Sequence, residues 1–175
     1  MANGILIFGS NGSGKTTLGR ELARILNFKH IDHEDYAFEE SDIPYTVERP
    51  FEKCAELMLT DIEKSRGFVL SAVTGDFGDK IESLYSLAVY IEAPIDVCVK
   101  RVEQRGHEQY GERVREGGDM YERQKKFVEF VAARPLSRIG QYEEKLNCPV
   151  IRVDGTVDYK QTASEIMERF LHQTR

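Results

Sequence analysis

The segment Gly9-Ser10-Asn11-Gly12-Ser13-Gly14-Lys15-Thr16 constrains the fold of this chain more than any other. Its spacing is Gly-x-x-x-x-Gly-Lys-Ser/Thr, in which glycines allow backbone N–H groups to approach phosphate oxygens. The apolar run 5–8 precedes the segment, and Leu18, Leu22 and Ile25 follow it at a helical interval. This order of strand, loop and helix predicts a phosphate-binding P-loop, to which the helix N-terminus adds partial positive charge.

The parts of the segment have distinct predicted roles in binding ATP and Mg²⁺. Lys15 is expected to reach the β- and γ-phosphates, and the hydroxyl of Thr16 is expected to ligate Mg²⁺. A glycine-rich turn that binds nothing has no need of Lys-Thr at the start of a helix, so nucleotide binding is favoured. The predicted nucleotide-binding residues here are Gly9, Asn11, Gly12, Ser13, Gly14, Lys15, Thr16 and Thr17.

Composition excludes several other classes of protein. The 175 residues are 41% hydrophobic and 31% charged, as in a single globular domain. The net charge of −6 argues against nucleic-acid binding, and no apolar run approaches the ~20 residues of a membrane span. Strand residues begin too early for a signal peptide, and the three cysteines lack metal-ligand spacing. We therefore expect a cytoplasmic monomer or homodimer whose partner is a small molecule, not a nucleic acid or membrane.

Apolar segments alternate with helical segments along the whole chain. Such alternation predicts a three-layer α/β/α fold around a five-stranded parallel sheet. The acidic stretch 31–45 is expected to be irregular. The helix that starts at Pro94 is expected to end near Arg105, because four glycines interrupt the polar stretch 106–118. We predict one domain, 1–175, with a helical lid at about 106–134. The predicted strands are 4–8, 29–31, 68–73, 87–91 and 149–153.

Polar residues follow the second and third predicted strands, at the carboxyl ends where ligands of parallel sheets bind. Asp32 ends the second strand, and its carboxylate can hold Mg²⁺ through water or accept a proton from an attacking hydroxyl. Glu34 and Asp35 come next, and the sequence leaves open which of them faces a substrate. Ser71 and Asp76 follow the third strand. Their simpler interpretations are a hydroxyl bonded to the backbone and a turn-forming carboxylate.

Three arginines are candidates for binding phosphate or orienting the acceptor. Arg101 and Arg105 lie four residues apart, on one face of the helix before the predicted lid. They are expected to close over a triphosphate and exclude water, although a solvated charged helix would show the same spacing. Arg49 precedes the helix after the acidic stretch, where it is expected either to orient an acceptor or to remain a surface residue.

These motifs together resemble the nucleoside-monophosphate-kinase-like branch of P-loop kinases, which includes adenylate, shikimate and gluconate kinases. Ile31-Asp32-His33-Glu34 resembles the Asp-x-Asp of shikimate kinase, whose acids serve Mg²⁺ and the substrate hydroxyl. Arg49-Pro50-Phe51-Glu52 resembles its Arg-x-x-Glu, and Ser71-Ala72 resembles the Ser-Ala of gluconate kinase. Arg101 to Arg105 resembles the arginine pair before the adenylate kinase lid, and Asp154-Gly155 resembles the loop that borders adenine.

The resemblance implies an ATP- and Mg²⁺-dependent kinase of a small hydroxyl compound. No arginine follows the third strand to grip an acceptor phosphate, and the acidic stretch would repel an anion, so a neutral or cationic acceptor is favoured. A nucleoside or nucleotide kinase and a regulatory ATPase stay as alternatives. The implied catalytic residues are Lys15, Asp32, Asp35 and Arg105; the implied Mg²⁺ ligands are Thr16 and Asp32; Arg101, Asp154 and Gly155 would bind nucleotide, and Glu34, Arg49, Ser71 and Asp76 would bind the acceptor.

Overall fold

A parallel β-sheet forms the centre of the protein, whose computed structural model describes residues 3–173. Within these residues five strands lie in the order β2-β3-β1-β4-β5, so that β1 is in the middle. β3 is buried along its whole length and β1 from its second residue onward, because helices cover both faces of the sheet. The strands are β1 Asn3–Phe8, β2 Lys29–Asp32, β3 Gly67–Ala72, β4 Tyr85–Glu92 and β5 Val150–Asp154.

Alternate residues of β1 point to opposite faces of the sheet and build two hydrophobic layers. Ile5 and Ile7 pack with residues of α1 and α8, whereas Leu6 and Phe8 pack with residues of α3 and α7. This arrangement confirms the predicted three-layer α/β/α fold. The helices are α1 Lys15–Leu26, α2 His33–Ala37, α3 Phe51–Glu63, α4 Asp79–Glu82, α5 Ile95–Tyr110, α6 Tyr121–Ala133, α7 Ser137–Glu143 and α8 Tyr159–Gln173.

Two segments differ from the sequence-based expectation. The acidic stretch after β2 is not wholly irregular, because Asp32 accepts a hydrogen bond from the backbone N–H of Glu34 at 3.2 Å and so caps α2. α5 does not end near Arg105 but continues through Gly106 to Tyr110. Gly106 is buried against the side chain of Gln124, so its missing Cβ allows α5 and α6 to pack closely and does not break the helix.

Most of the segment predicted to form a lid, 106–134, is helical. A 3₁₀ turn at Gly111–Val114 follows α5 directly, and α6 packs back against α5. Residues 106–110 therefore belong to α5, and closure of the segment over a ligand stays a prediction. None of the helices in the described part of the chain is both long and apolar enough to cross a lipid bilayer.

The buried strands make a direct test of this architecture possible. Leu70 is 0% exposed in β3 and lies beside Leu6 and Ile31 in the sheet register. We expect Leu70→Ala to lower the free energy of unfolding by about 2–5 kcal/mol, because it leaves a cavity where the sheet meets its helices. Urea denaturation measures the loss. Leu136→Ala, at a side chain that is 50% exposed, is the control and should change stability by less than about 0.5 kcal/mol. Equal losses would contradict this packing.

Candidate functional site

A cleft of about 340 Å³ opens at the carboxyl ends of the central strands. The P-loop forms one wall, and Gly12 and Gly14 adopt φ angles of 80° and 108° there, which favour glycine. A Cβ at Gly12 would overlap the backbone of Cys98 in α5, so this loop and α5 are in close contact. The cleft is lined by these predicted residues: Asn11, Gly12, Gly14, Lys15, Thr16, Thr17, Asp32, Glu34, Ser71, Arg101 and Arg105.

Lys15 supplies the positive charge at the base of the cleft. Its Nζ donates a hydrogen bond to the backbone carbonyl of Ser10 at 2.7 Å. Burial lowers the pKa of Lys15 to about 8, although the charges of Glu34 and Asp32 oppose this shift. Nζ bonds a carbonyl and forms no ion pair with a carboxylate of residues 3–173, so within this part of the chain its charge is available to phosphate oxygens.

Thr16 and Asp32, the two residues predicted to hold Mg²⁺, are in direct contact. The hydroxyl of Thr16, in the first turn of α1, donates to Oδ2 of Asp32 at 2.8 Å. Hydroxyl and carboxylate oxygens are ligands that Mg²⁺ accepts in proteins. The donor set therefore fits a magnesium ion beside the phosphates that the P-loop amides and Lys15 would bind.

Two predicted arginines reach the cleft from α5. Arg101 donates to the backbone carbonyls of Gly12 and Ser13 at 3.4 and 3.3 Å, so it links α5 to the P-loop. Arg105 lies one turn further along α5 and lines the cleft. Lys15 lines the same cleft, and the charge of Arg105 contributes to lowering its pKa. Such a concentration of positive charge suits a polyphosphate.

Arg134 is a further residue at the P-loop, which no sequence motif had indicated. It follows the last residue of α6 and donates to the side-chain oxygen of Asn11 at 2.6 Å. Its guanidinium lies 5.0 Å from the centre of the Phe130 ring, and burial lowers its pKa. The one feature of the sequence that singles out Arg134 is that it precedes Pro135. A helix usually ends before a proline, and the chain can turn there toward another element.

The structure separates the two carboxylates that the sequence could not distinguish. Glu34 lines the cleft, and burial, with a smaller effect from the charge of Asp32, raises its pKa. Asp35 is exposed and does not line the cleft, although burial and Asp32 raise its pKa as well. Neighbouring helical residues point about 100° apart, so α2 can present only one of them to a substrate.

The other predicted acceptor residues have different positions. Arg49 donates to the backbone carbonyl of Tyr36 at 2.7 Å and lies 4.0 Å from a carboxylate oxygen of Glu39, so it holds the end of α2 and does not line the cleft.

Asp76 is exposed in the loop after β3 and lies outside the cleft. Ser71 lines the cleft, but its hydroxyl donates to the backbone carbonyl of Lys15. The cleft-lining residues that were not predicted are His33, Ala72, Val73, Gln104 and Glu108.

A second cleft of about 220 Å³ adjoins the first and shares Gly14, Thr17 and Arg101 with it. Asp154 and Gly155 line this second cleft, and their predicted place beside adenine stays a prediction. The backbone N–H of Gly155 donates to the carbonyl of Glu92 at 2.6 Å. The apolar side chains at its rim include Val157 and Tyr159, which are 55% and 40% exposed. Exposed apolar groups beside a phosphate site suit a nucleotide base.

Comparison with known proteins agrees with this geometry. Residues 5–125 match the AAA domain family. The uncharacterized protein YqaC of Bacillus subtilis is 25% identical over 176 residues, which cover 96% of this chain and 97% of YqaC. A shikimate kinase of Actinobacillus pleuropneumoniae is 30% identical over 111 residues, which cover 57% of this chain and 64% of that kinase. The matched segment thus spans under two thirds of the shikimate kinase.

A solved structure shares the fold over nearly the whole chain. The shikimate kinase from Acinetobacter baumannii in complex with shikimate superimposes with a TM-score of 0.56 at 15% identity, covering 98% of this chain and 94% of that protein. At this identity the likeness is one of fold. Together with the family match, it confirms the resemblance to P-loop kinases that the motifs indicated.

Gly155 offers a test of the contact between β5 and the P-loop. A Cβ at this position would overlap the backbone carbonyl of Ser13 and lie 3.1 Å from that of Glu92. We expect Gly155→Ala to cost about 1–3 kcal/mol of stability through overpacking and to weaken ATP binding, because it displaces the loop. Thermal unfolding and calorimetric titration with ATP measure the two effects.

Gly140→Ala is the matched control. Gly140 lies in α7, where an added Cβ has no neighbour within 4 Å, so alanine should leave ATP binding unchanged and stabilise the helix by about 0.5–1 kcal/mol. Unchanged ATP affinity in Gly155→Ala would mean that the β5 loop does not determine the position of the P-loop.

Proposed function

Because the chain belongs to the AAA domain family and its cleft joins a P-loop lysine to an acidic acceptor side, we propose that it is an ATP- and Mg²⁺-dependent kinase of a small hydroxyl compound. The observation that carries this proposal is that Lys15, the Thr16–Asp32 pair and Glu34 converge on one cleft. A nucleotide-dependent switch needs the first two features but not a second carboxylate such as that of Glu34. Shikimate kinases, named for a small acceptor, are among the relatives of the chain.

The donor side of the cleft is suited to stabilise charge on a transferring phosphoryl group. Lys15 is held at the base of the cleft by its hydrogen bond to the carbonyl of Ser10, and a lysine held in this way needs little reorganisation as charge develops. Arg105 adds a cation from α5, and closure of the lid segment would exclude water. Thr16 and Asp32 would hold Mg²⁺, which neutralises phosphate charge when it is bound.

The acceptor side is suited to remove a proton from a hydroxyl group. We assign this role to Glu34, because its carboxylate lines the cleft whereas that of Asp35 does not. Burial raises the pKa of Glu34 and so makes its carboxylate a stronger base than one in water. The proton of the attacking hydroxyl passes to Glu34 as the oxygen bonds to phosphorus and the bond to the leaving ADP breaks.

The charges around the acceptor side favour a neutral or cationic acceptor. Glu34 and Glu108 line the cleft beyond the P-loop, and Arg105, which also lines it, is assigned to the phosphates. Arg49, the arginine that the sequence predicted to orient an acceptor, is occupied by the carbonyl of Tyr36 and by Glu39. An acceptor with a carboxylate or phosphate would therefore meet repulsion without a dedicated cation.

A panel of matched acceptors tests the substrate class. Glucose, glucosamine and glucuronate present similar rings with neutral, cationic and anionic groups, and adenosine and AMP represent the nucleoside and nucleotide alternatives. We expect ATP-dependent phosphorylation of neutral or cationic compounds and none of glucuronate or AMP, measured as product formation by mass spectrometry. Efficient phosphorylation of AMP would establish the nucleotide kinase instead, and ATP turnover that no acceptor accelerates would favour the regulatory ATPase.

A matched pair of variants tests the proposed base. With the best acceptor of the panel, Glu34→Gln should lower kcat by about 10²–10⁴-fold, the usual contribution of a positioned general base. Asp35→Asn removes the same charge one residue later and should leave kcat unchanged. Lys15→Ala is the inactive control, with which the loss of kcat in the other two variants is compared. A larger loss in Asp35→Asn than in Glu34→Gln would reverse the assignment.

A further inference from the structure

A polar contact lies behind the P-loop, between β2, β3 and α1. Nε2 of His30 is 3.0 Å from the hydroxyl oxygen of Ser71, which in turn donates to the backbone carbonyl of Lys15 at 3.2 Å. Ser71 is 1% exposed, and on this face of the sheet it is surrounded by the apolar layer that α1 forms with β1 and β3. Polar groups in such a layer persist only when they are hydrogen-bonded.

The direction of these hydrogen bonds follows from the number of protons. A serine hydroxyl has one proton, which Ser71 gives to the carbonyl of Lys15. Both contacts are hydrogen bonds at the same time when the Ser71 oxygen accepts from His30, and we therefore assign His30 the Nε2–H tautomer. The result is a continuous chain of hydrogen bonds from His30 in β2, through Ser71 in β3, to the backbone of the P-loop lysine.

Gly19 shows how closely α1 lies on this pair. A Cβ at Gly19 would overlap the hydroxyl oxygen of Ser71 and come within 2.8 Å of Nε2 of His30. Gly19 lies one turn after Lys15, so both residues belong to the same face of the helix. The helix can reach the His30–Ser71 pair only because this position lacks a side chain.

β2 is attached to the first turn of α1 at two points. His30 and Asp32 are two residues apart in β2, so their side chains lie on the same face of the sheet. Asp32 contacts Thr16 directly, whereas His30 reaches Lys15 through Ser71. Binding of Mg²⁺ by Thr16 and Asp32 would replace the hydrogen bond between these two side chains. The contact through Ser71 would remain, because it uses no atom assigned to the metal or the phosphates.

We infer that His30 is a positioning residue for the nucleotide site: through Ser71 it holds the backbone of Lys15, and with it the Lys15 ammonium and the Thr16 hydroxyl, in place against the sheet. The inference rests on the proposed function, because the site that it serves is the one for Mg²⁺ and ATP. It also gives Ser71 a role as the link to His30, in place of the acceptor contact that the sequence predicted.

Substitutions at His30 test this inference. His30→Leu removes the donor, whereas His30→Gln keeps an N–H donor at the same number of bonds from the backbone. We expect His30→Leu to weaken binding of the non-hydrolysable analogue AMPPNP with Mg²⁺ by about tenfold, or ~1.4 kcal/mol. Amide hydrogen exchange of residues 15–19 should become faster in the unliganded protein. His30→Gln should restore both quantities toward their wild-type values.

Tyr85→Phe separates a positioning role from a general loss of stability. The Tyr85 hydroxyl donates to the carbonyl of Gly75 at 2.9 Å, in the hydrophobic layer on the opposite face of the sheet. Its loss should lower the melting temperature without changing AMPPNP affinity or exchange at residues 15–19. If Tyr85→Phe weakened binding as much as His30→Leu at equal stability, the inference would be overturned.

Ser71→Ala provides a second route should His30→Leu fail to fold. It removes the middle group of the chain and should reproduce the effects of His30→Leu, and adding His30→Leu to it should cause little further loss. Wild-type affinity and exchange in both single variants would overturn the inference. If the wild-type protein did not bind AMPPNP, the proposed function would fail, and the exchange of residues 15–19 in His30→Leu and His30→Gln would still decide the role of His30.

Discussion

The site depends on holding the Lys15 amine at the junction of a buried strand, a glycine-rich loop and a helix. Burial disfavours its charge and lowers its pKa to about 8, so the charge persists only with compensation from nearby groups. Glu34 and Asp32 provide that compensation without a direct ion pair, and the carbonyl of Ser10 accepts the hydrogen bond. The central place of β1 in the sheet makes this geometry rigid, because β3 and β4 pair with it on both sides.

From this junction the cleft extends toward two sides of opposite charge. The arginines of α5 and the residue after α6 gather near the P-loop, where the phosphates of a nucleotide would lie. Carboxylates gather beyond it, on α2 and on the last turns of α5. The short helix α2 connects the two sides, because Asp32 caps its start and Arg49 binds the carbonyl of Tyr36 near its end. An arginine that resembles a substrate-binding residue in sequence thus contributes to the site by holding a helix.

Most of the fold could be predicted from the sequence, since local spacing determines it. Apolar runs and helical periodicity located the five strands and the larger helices, and the alternation of these elements implied their parallel arrangement. The predicted end of α5 was wrong because glycine has two structural uses. Gly106 was interpreted as a helix breaker, but its missing Cβ allows close packing against Gln124, and this packing depends on a second helix. The capped helix α2 was missed because five residues are too few to show periodicity.

The P-loop motif, its lysine and the carboxylate at the end of β2 could be located from the sequence, because each is specified by neighbours within a few residues. The folded chain was needed to see that Glu34 faces the cleft while Asp35 faces away, and that Arg49 is occupied elsewhere. It was needed equally for the contact of Arg134 with Asn11, across 123 residues of chain, and for that of His30 with Lys15 through Ser71. These contacts join residues distant in sequence, whose side-chain directions are set by how strands and helices pack, and such packing leaves no local pattern along the chain.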